Sequence, residues 1–302
     1  MNNKHILEVR NVCKNFGKFS ALKNVNFEIM EGHIVGLLGR NGAGKTTLIK
    51  SILGLYKDFE GEIIYQGIPI DTENHQVMNS IGALVDTRFH EDLSAYDNLM
   101  LLLMASKVVG NKERKNKINE ILELVGLADN AKGKVKSFSM GMKQRLALAQ
   151  ALMADAKLLI LDEPFVGLDP LGVELIKNKL LHLCHEENIS IIFSSHQLAE
   201  VAELSEDIIV INEGKISFNG LYSSLVNDTR TYLIKVDRPI TLSEDEVSMI
   251  PIKISDNRKE ISVRKSDNLL SRTLSALLSS GLDIIDIEVQ ENALLQLFLE
   301  TQ

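Results

Sequence analysis

The sequence predicts an α/β fold built on a twisted, mainly parallel sheet, with a helical insertion near residues 90–155 and a small α+β appendage. Three observations carry this reading. Buried parallel strands are near-continuous apolar runs, and Leu158-Leu-Ile-Leu161 and Ile191-Ile-Phe193 are two of them, alternating with helix-like segments. The apolar run from His33 to Leu38 feeds a glycine-rich loop that opens a helix. After Gly220 the composition shifts, and 228–302 carries 9 basic and 13 acidic residues with no glycine-rich loop.

In chain order, Ile6–Val9 and Val25–Ile29 have β-rich or period-two character and read as short strands. The glycine-rich loop and its helix reach to about residue 55. Gly61–Gln66 and Ile81–Val85 read as strands separated by a polar turn. Helical spacing follows over Tyr96–Val109, Glu113–Val125 and Met140–Met153. The pattern then alternates: strand Lys157–Leu161, helix Gly172–Cys184, strand Ser190–Ser194, helix Gln197–Leu204, strand Asp207–Ile211. The appendage reads as strands at 231–236 and 251–264, a helix at 268–280, a strand at 283–289 and a helix at 292–300. No internal repeat of 20–50 residues and no low-complexity tract is evident.

Bulk properties narrow the function. The 302 residues suffice for one large domain or two, and 45% hydrophobic with 25% charged residues is ordinary for a globular chain. A formal net charge of −8 argues against a nucleic-acid partner. Cys13 and Cys184 are too few for a disulfide framework, which fits a reducing cytoplasm. No secretory leader is expected, and the apolar run Leu99–Ala105 is about a third of a membrane span.

The loop reads Gly39-Arg40-Asn41-Gly42-Ala43-Gly44-Lys45-Thr46-Thr47, a full G-x-x-x-x-G-K-[ST] match. Glycines let successive backbone N–H groups turn inward, and the helix N-terminus adds partial positive charge. Lys45 is placed for the β- and γ-phosphates and Thr46 for Mg²⁺, so the expected ligand is a nucleoside triphosphate. About 120 residues later, Leu158-Leu-Ile-Leu-Asp162-Glu163-Pro164 delivers two acids from a buried strand. Asp162 is suited to Mg²⁺ and Glu163 to polarising an attacking water as general base. Ser139-Met140-Gly141-Met142-Lys143-Gln144-Arg145 opens a helix with a hydroxyl and a bare backbone, which suits an anion. Read alone, Ser139 is equally an N-cap. His182, Cys184 and His185 share one helix, but no fourth ligand accompanies them and a metal site is not expected.

These phrases together resemble the ABC (ATP-binding cassette) ATPase family over roughly residues 5–220. Ser139-Met-Gly-Met-Lys-Gln144 is similar to a drug- and peptide-exporter variant of its signature, with Phe138 where leucine is usual. Gly167-Leu168-Asp169-Pro170 matches its D-loop, and Ser194-Ser195-His196 its switch histidine. The resemblance implies a P-loop NTPase of the ABC ATPase type with an N-terminal antiparallel β subdomain and a helical subdomain. The implied division is an ATPase domain over 5–220 and an accessory α+β domain over 228–302. It further implies that Phe16 stacks on adenine and that His196 bonds the γ-phosphate. Ser139 is then expected to act in trans on ATP held by a second copy in a head-to-tail dimer, with Gly141, Gln144 and Asp169 also among the nucleotide contacts.

Where the family usually has a glutamine, this chain has Asp86. A carboxylate binds Mg²⁺ more strongly than an amide but donates no hydrogen bond. Asp86 is therefore expected to shape coupling more than nucleotide affinity. Acidic residues here resemble those of lantibiotic-immunity and bacitracin-type exporters. The chain is thus expected to power an exporter of antimicrobial peptides, held on the inner face of the membrane by a separate permease. Export of other drugs is the alternative. A ribosome- or DNA-acting member is disfavoured by the single cassette, the missing coiled-coil insertion and the acidic balance.

Overall fold

A computed structural model describes residues 4–70, 80–105, 111–224, 231–240, 252–255, 259–264 and 269–290. The predicted helix at 292–300 lies outside these residues, as does the end of the predicted helix Tyr96–Val109. The chain separates into two compact units, Met1–Asn219 and Gly220–Gln302.

The first unit opens with two long antiparallel strands, β1 (His5–Phe16) and β2 (Phe19–Met30). They are much longer than the apolar runs that predict them. Polar residues such as Asn11 and Asn24 interrupt the period-two pattern, but both adopt positive φ (51° and 54°), and the pairing shifts register between Val9 and Val12. Such bulges let a strand continue past residues that break its alternation. Strands β4 (Glu60–Tyr65) and β5 (Ile68–Pro69) complete a four-stranded antiparallel sheet in the order β2-β1-β4-β5. The two-residue β5 is too short to show in the sequence pattern.

The second sheet holds β3 (Ile34–Leu38), β6 (Ile81–Leu84), β7 (Leu158–Leu161), β8 (Ser190–Ser195), β9 (Asp207–Asn212) and β10 (Lys215–Leu221). Its order is β10-β9-β3-β8-β7-β6, and the pairings from β9 through to β6 are parallel. Every residue of β3, β7 and β8 is buried, which explains the apolar runs of β3, β7 and the Ile191–Phe193 centre of β8. β10 was not evident from the sequence: it is an edge strand of alternating exposure ending in Gly220 and Leu221, with little apolar signal. One core joins the two sheets, including Leu7, Val25 and Phe27 from the first, Leu37, Ile160 and Ile192 from the second, and Leu48 and Ile49 from the helix α1 (Lys45–Ile52).

The helical insertion comprises α2 (Ala95–Ala105), α3 (Asn111–Leu124) and α4 (Met140–Leu152). α4 lies hard against β6: a Cβ on Gly82 would come within 2.3 Å of the Ala151 carbonyl oxygen. Only glycine permits that approach, and it brings the α4 helix up to the parallel sheet. Helices α5 (Pro170–His185) and α6 (Leu198–Leu204) follow β7 and β8.

The second unit is a four-stranded antiparallel sheet, in the order β12-β13-β11-β14, with one helix. Its elements are β11 (Thr231–Val236), β12 (Ile252–Ile254), β13 (Glu260–Arg264), α7 (Leu269–Ser279) and β14 (Ile284–Gln290). Ile234, Val236, Ile261, Val263, Leu277 and Leu282 form its core. Lys235 pairs across strands with Glu288 at 2.5 Å and Asp286 at 3.7 Å. No helix among the described residues is long and apolar enough to cross a membrane.

Candidate active site

In open parallel sheets, ligands sit beyond the carboxyl ends of the strands. Here strand register does the assembling. Leu84 pairs with Leu161, Leu161 with Phe193, and Leu38 with Ser195. The residues just past these pairs, Asp86, Asp162, Ser194, His196 and Gly39, therefore emerge side by side from four neighbouring strands.

The loop from Gly39 to Gly44 wraps the first of these ends. Gly42 has φ 84°, and a Cβ there would meet nothing within 4 Å, so its backbone faces open space. α1 opens at Gly44 with no side-chain cap. The first-turn N–H groups of a helix have no intrahelical acceptor, so Lys45, Thr46 and Thr47 begin a helix whose N-terminus suits an anion. Asn41 is exposed on the rim and Ala43 is buried beneath the loop. Lys45 Nζ donates to the Gly39 carbonyl at 2.7 Å and lies 3.2 Å from Glu163 Oε1.

Thr46 Oγ1 donates to Asp162 Oδ2 at 2.7 Å, and Ser194 Oγ donates to Asp162 Oδ1 at 2.5 Å. Hard oxygen donors of this kind, one hydroxyl and one carboxylate at a phosphate cradle, suit Mg²⁺. Glu163 adopts φ 50°, a conformation that costs free energy and persists only where the surroundings enforce it. They do so from several sides. Its N–H donates to Ser194 Oγ at 2.8 Å, Gln144 Nε2 donates to its carbonyl at 3.0 Å, and His196 Nδ1 lies 2.8 Å from its Oε2. Sequence reasoning gave Ser194 no role of its own. The signal was its place one residue past Phe193, whose pairing with Leu161 sets Ser194 beside Asp162.

The remaining expected site residues are held elsewhere. Ser139 caps α4 by accepting from the Met142 N–H at 3.2 Å. Asp169 caps α5 by accepting from the Gly172 N–H at 2.9 Å. A Cβ on Gly141 would come within 2.9 Å of the Gly167 carbonyl, so the first turn of α4 lies close against the loop before α5. Gln144 donates to the backbone carbonyls of Glu163 and Pro164, which makes it a brace for the acidic pair within its own chain. Phe16 is 43% exposed at the end of β1. Asp86, at φ 44°, pairs with Lys50 of α1 at 2.5 Å. That pairing holds the Lys50 ammonium above its ordinary pKa. Asp86, Arg88, Lys143, Gln144, Asp162 and Glu163 share a cleft of about 740 Å³. Cys184 is buried and donates to the Gly32 carbonyl, and burial pushes its thiol up to about 11. Among the described residues it does not fall in one ligand cluster with His182 and His185.

Glu200 is a further group that the sequence did not flag. It accepts from Ser195 Oγ at 2.5 Å, and Ser195 Oγ in turn accepts from the Gln197 N–H at 2.9 Å, fixing the turn that carries His196. Burial raises its carboxyl above the ordinary value, with Glu163 adding to the rise and Ser195, His196 and Lys177 opposing it. A raised carboxylate contributes its stability below the unfolded-state pKa and loses it as pH rises through the folded-state pKa. Glu200→Gln should therefore raise Tm at pH 8, and the gain should shrink as pH falls towards 5. Thermal unfolding across that range checks the sign.

Parallel strands converging on a phosphate cradle, with a carboxylate pair and a histidine facing it, define a P-loop nucleoside triphosphatase. The family model described as ABC transporter matches residues 22–166. The chain is 34% identical over 299 residues to the uncharacterised ABC transporter ATP-binding protein YhcH of Bacillus subtilis (strain 168), covering 98% of this chain and 96% of the relative. It is 33% identical over 300 residues to the bacitracin transport ATP-binding protein BcrA of Bacillus licheniformis, with the same coverage. It is 38% identical over 223 residues to the lantibiotic transport ATP-binding protein SrtF of Streptococcus pyogenes, covering 74% of this chain and 93% of SrtF. Among solved structures it is similar to the dimeric post-hydrolysis state of the ATP-binding cassette MJ0796 bound to ADP and Pi. That match has a TM-score of 0.66 and 28% identity, over 71% of this chain and 98% of the other. The chain belongs to the ABC transporter family, as an ATP-binding subunit with ATPase activity.

Proposed function

We propose that this subunit powers the export of an antimicrobial peptide, working as a head-to-tail pair that closes over ATP and drives a permease made of separate polypeptides. The observation that supports the peptide reading most directly is the 33% identity to BcrA over nearly the full length of both chains, the second unit included. In this reading the chain is held on the inner face of the cell membrane by its permease.

Phe16 stacks on adenine, and the N–H groups from Asn41 to Thr47 surround the phosphates. Lys45 leaves Glu163 for the β- and γ-phosphates, an exchange between two anionic partners at one cation. Thr46 and Asp162 would hold Mg²⁺, which would offset the negative charge of the phosphates. Asp86 stands on the cleft side of that set. Freed of Lys45, Glu163 takes a proton from the attacking water while His196 contacts the γ-phosphate. Ser139 and Gly141 of the second copy close the site from the opposite side, with Asp169 beside them. For Gln144 to join them it must release the Glu163 and Pro164 carbonyls. Closure thereby has a hydrogen-bond cost within each chain.

Asp86 separates coupling from binding. It is 68% exposed and paired with Lys50 at the cleft rather than inside the cradle. Co-expressed with its permease in a susceptible bacterium, the parent chain should raise tolerance to bacitracin or a lantibiotic several-fold. Asp86→Ala should erase that gain while changing ATP affinity far less. Outright loss of ATP binding in this variant refutes the coupling role. Tolerance to an unrelated small drug, without any to peptides, favours a general multidrug exporter instead.

A further inference from the structure

Lys14 is the one lysine of β1, and its side chain is 1% exposed. Its ammonium meets the carboxylate of Asp58 and donates to the Asp58 carbonyl at 2.9 Å. That carboxylate is 83% exposed, and the Lys14 hydrogen bond holds it below its ordinary pKa. Two rings also lie beside the cation. Nζ lies 4.7 Å from the centroid of Phe16 and 5.4 Å from that of Tyr56. The rings themselves meet edge to face, with centroids 5.3 Å apart and an interplanar angle of 76°.

A buried ammonium is expensive where a methionine would fill the same volume. Asp58 offsets that cost. What the charge adds is direction: a cation over a ring face is an attraction that depends on ring orientation and strengthens as water is excluded. Phe16 needs such a constraint. It is 43% exposed beside the Gly17 turn, and an exposed side chain keeps its rotamer freedom unless specific contacts fix it.

We propose that Lys14 is a positioning residue for the nucleotide base, pinning the Phe16 ring against Tyr56 so that its open surface is set for stacking before ATP arrives. The proposal rests on the reading of Phe16 as the adenine contact. Its signature is a loss of affinity that depends on the base. Lys14→Met should weaken ATP binding about fivefold, the order expected from a partly desolvated cation–π contact. Binding of inorganic tripolyphosphate, which occupies the cradle without a base, should stay unchanged. Lys14→Arg keeps a cation over the ring and should restore most of the ATP affinity. Calorimetry on the full chain with Mg²⁺, using ATP and tripolyphosphate in parallel, reads all three.

Phe16→Ala separates the two layers of the argument. If Phe16→Ala loses ATP but not tripolyphosphate affinity and Lys14→Met behaves like the parent, the positioning role is overturned and the Phe16 reading stands. If Phe16→Ala also matches the parent, both fall. An equal loss for both ligands in Lys14→Met means general damage to the cradle and overturns the proposal. Should Lys14→Met not fold, Tyr56→Ala removes the second ring from a half-buried position. It should show the same base-dependent loss, and parental ATP affinity in that variant overturns the proposal.

Discussion

Glu163→Gln is expected to slow ATP turnover about 10²- to 10⁴-fold, the range that a positioned general base contributes. The substitution keeps the volume of the side chain and its contact with His196, now 2.8 Å away. The backbone anchors from Ser194 and Gln144 do not involve the carboxylate, so the positive-φ conformation is retained. Only the negative charge disappears. That charge also holds Lys45 at 3.2 Å, so its removal frees the lysine for phosphate, and ATP binding should not weaken. With hydrolysis stalled, an ATP-bound pair should accumulate, visible as a doubled mass by light scattering when ATP and Mg²⁺ are present. Single-turnover kinetics supply the second measurement. Parental turnover in this variant removes Glu163 from the role of base, and a strictly monomeric ATP complex removes the paired mechanism.

Lys45→Ala should act on binding rather than on the chemical step alone. A cation hydrogen-bonded to two phosphates is worth roughly 10²- to 10⁴-fold in affinity, since each charge-assisted bond contributes about 1.5–3 kcal/mol. Lys45 is 6% exposed and stands at the mouth of α1, where alanine is an excellent helix former. Thermal stability should consequently stay near the parent's while calorimetric ATP affinity collapses and turnover with it. Affinity within about threefold of the parent's, with charge-assisted bonds valued as above, means that the cradle does not rely on Lys45.

Much of this site was legible because its parts are contiguous. The loop from Gly39 to Thr47, the pair Asp162-Glu163 and the phrase ending in His196 each place several groups within a few residues. A turn, a helix N-terminus or a strand end converts such a phrase directly into local geometry. The single-chain contacts of Gln144, Lys50, Glu200 and Lys14 were not legible. Gln144 reads from sequence as a nucleotide contact, yet it is hydrogen-bonded to carbonyls 19 and 20 residues away. Lys14 lies outside the strands read from the sequence, and in the fold its ammonium meets Asp58, 44 residues on.

The sequence alone determined the phosphate cradle, the acid pair, the alternating strands and helices and, through them, the family. Each of these follows from neighbouring residues whose periodicity and backbone preferences act over one or two turns or one strand. Only the tertiary structure decided which groups meet: Thr46 with Asp162 across 116 residues, Glu163 with Lys45 and His196, and Asp86 with Lys50. Those meetings are set by the register of parallel strands and by what is left buried once the sheets close. Neither is encoded in any single stretch of the chain.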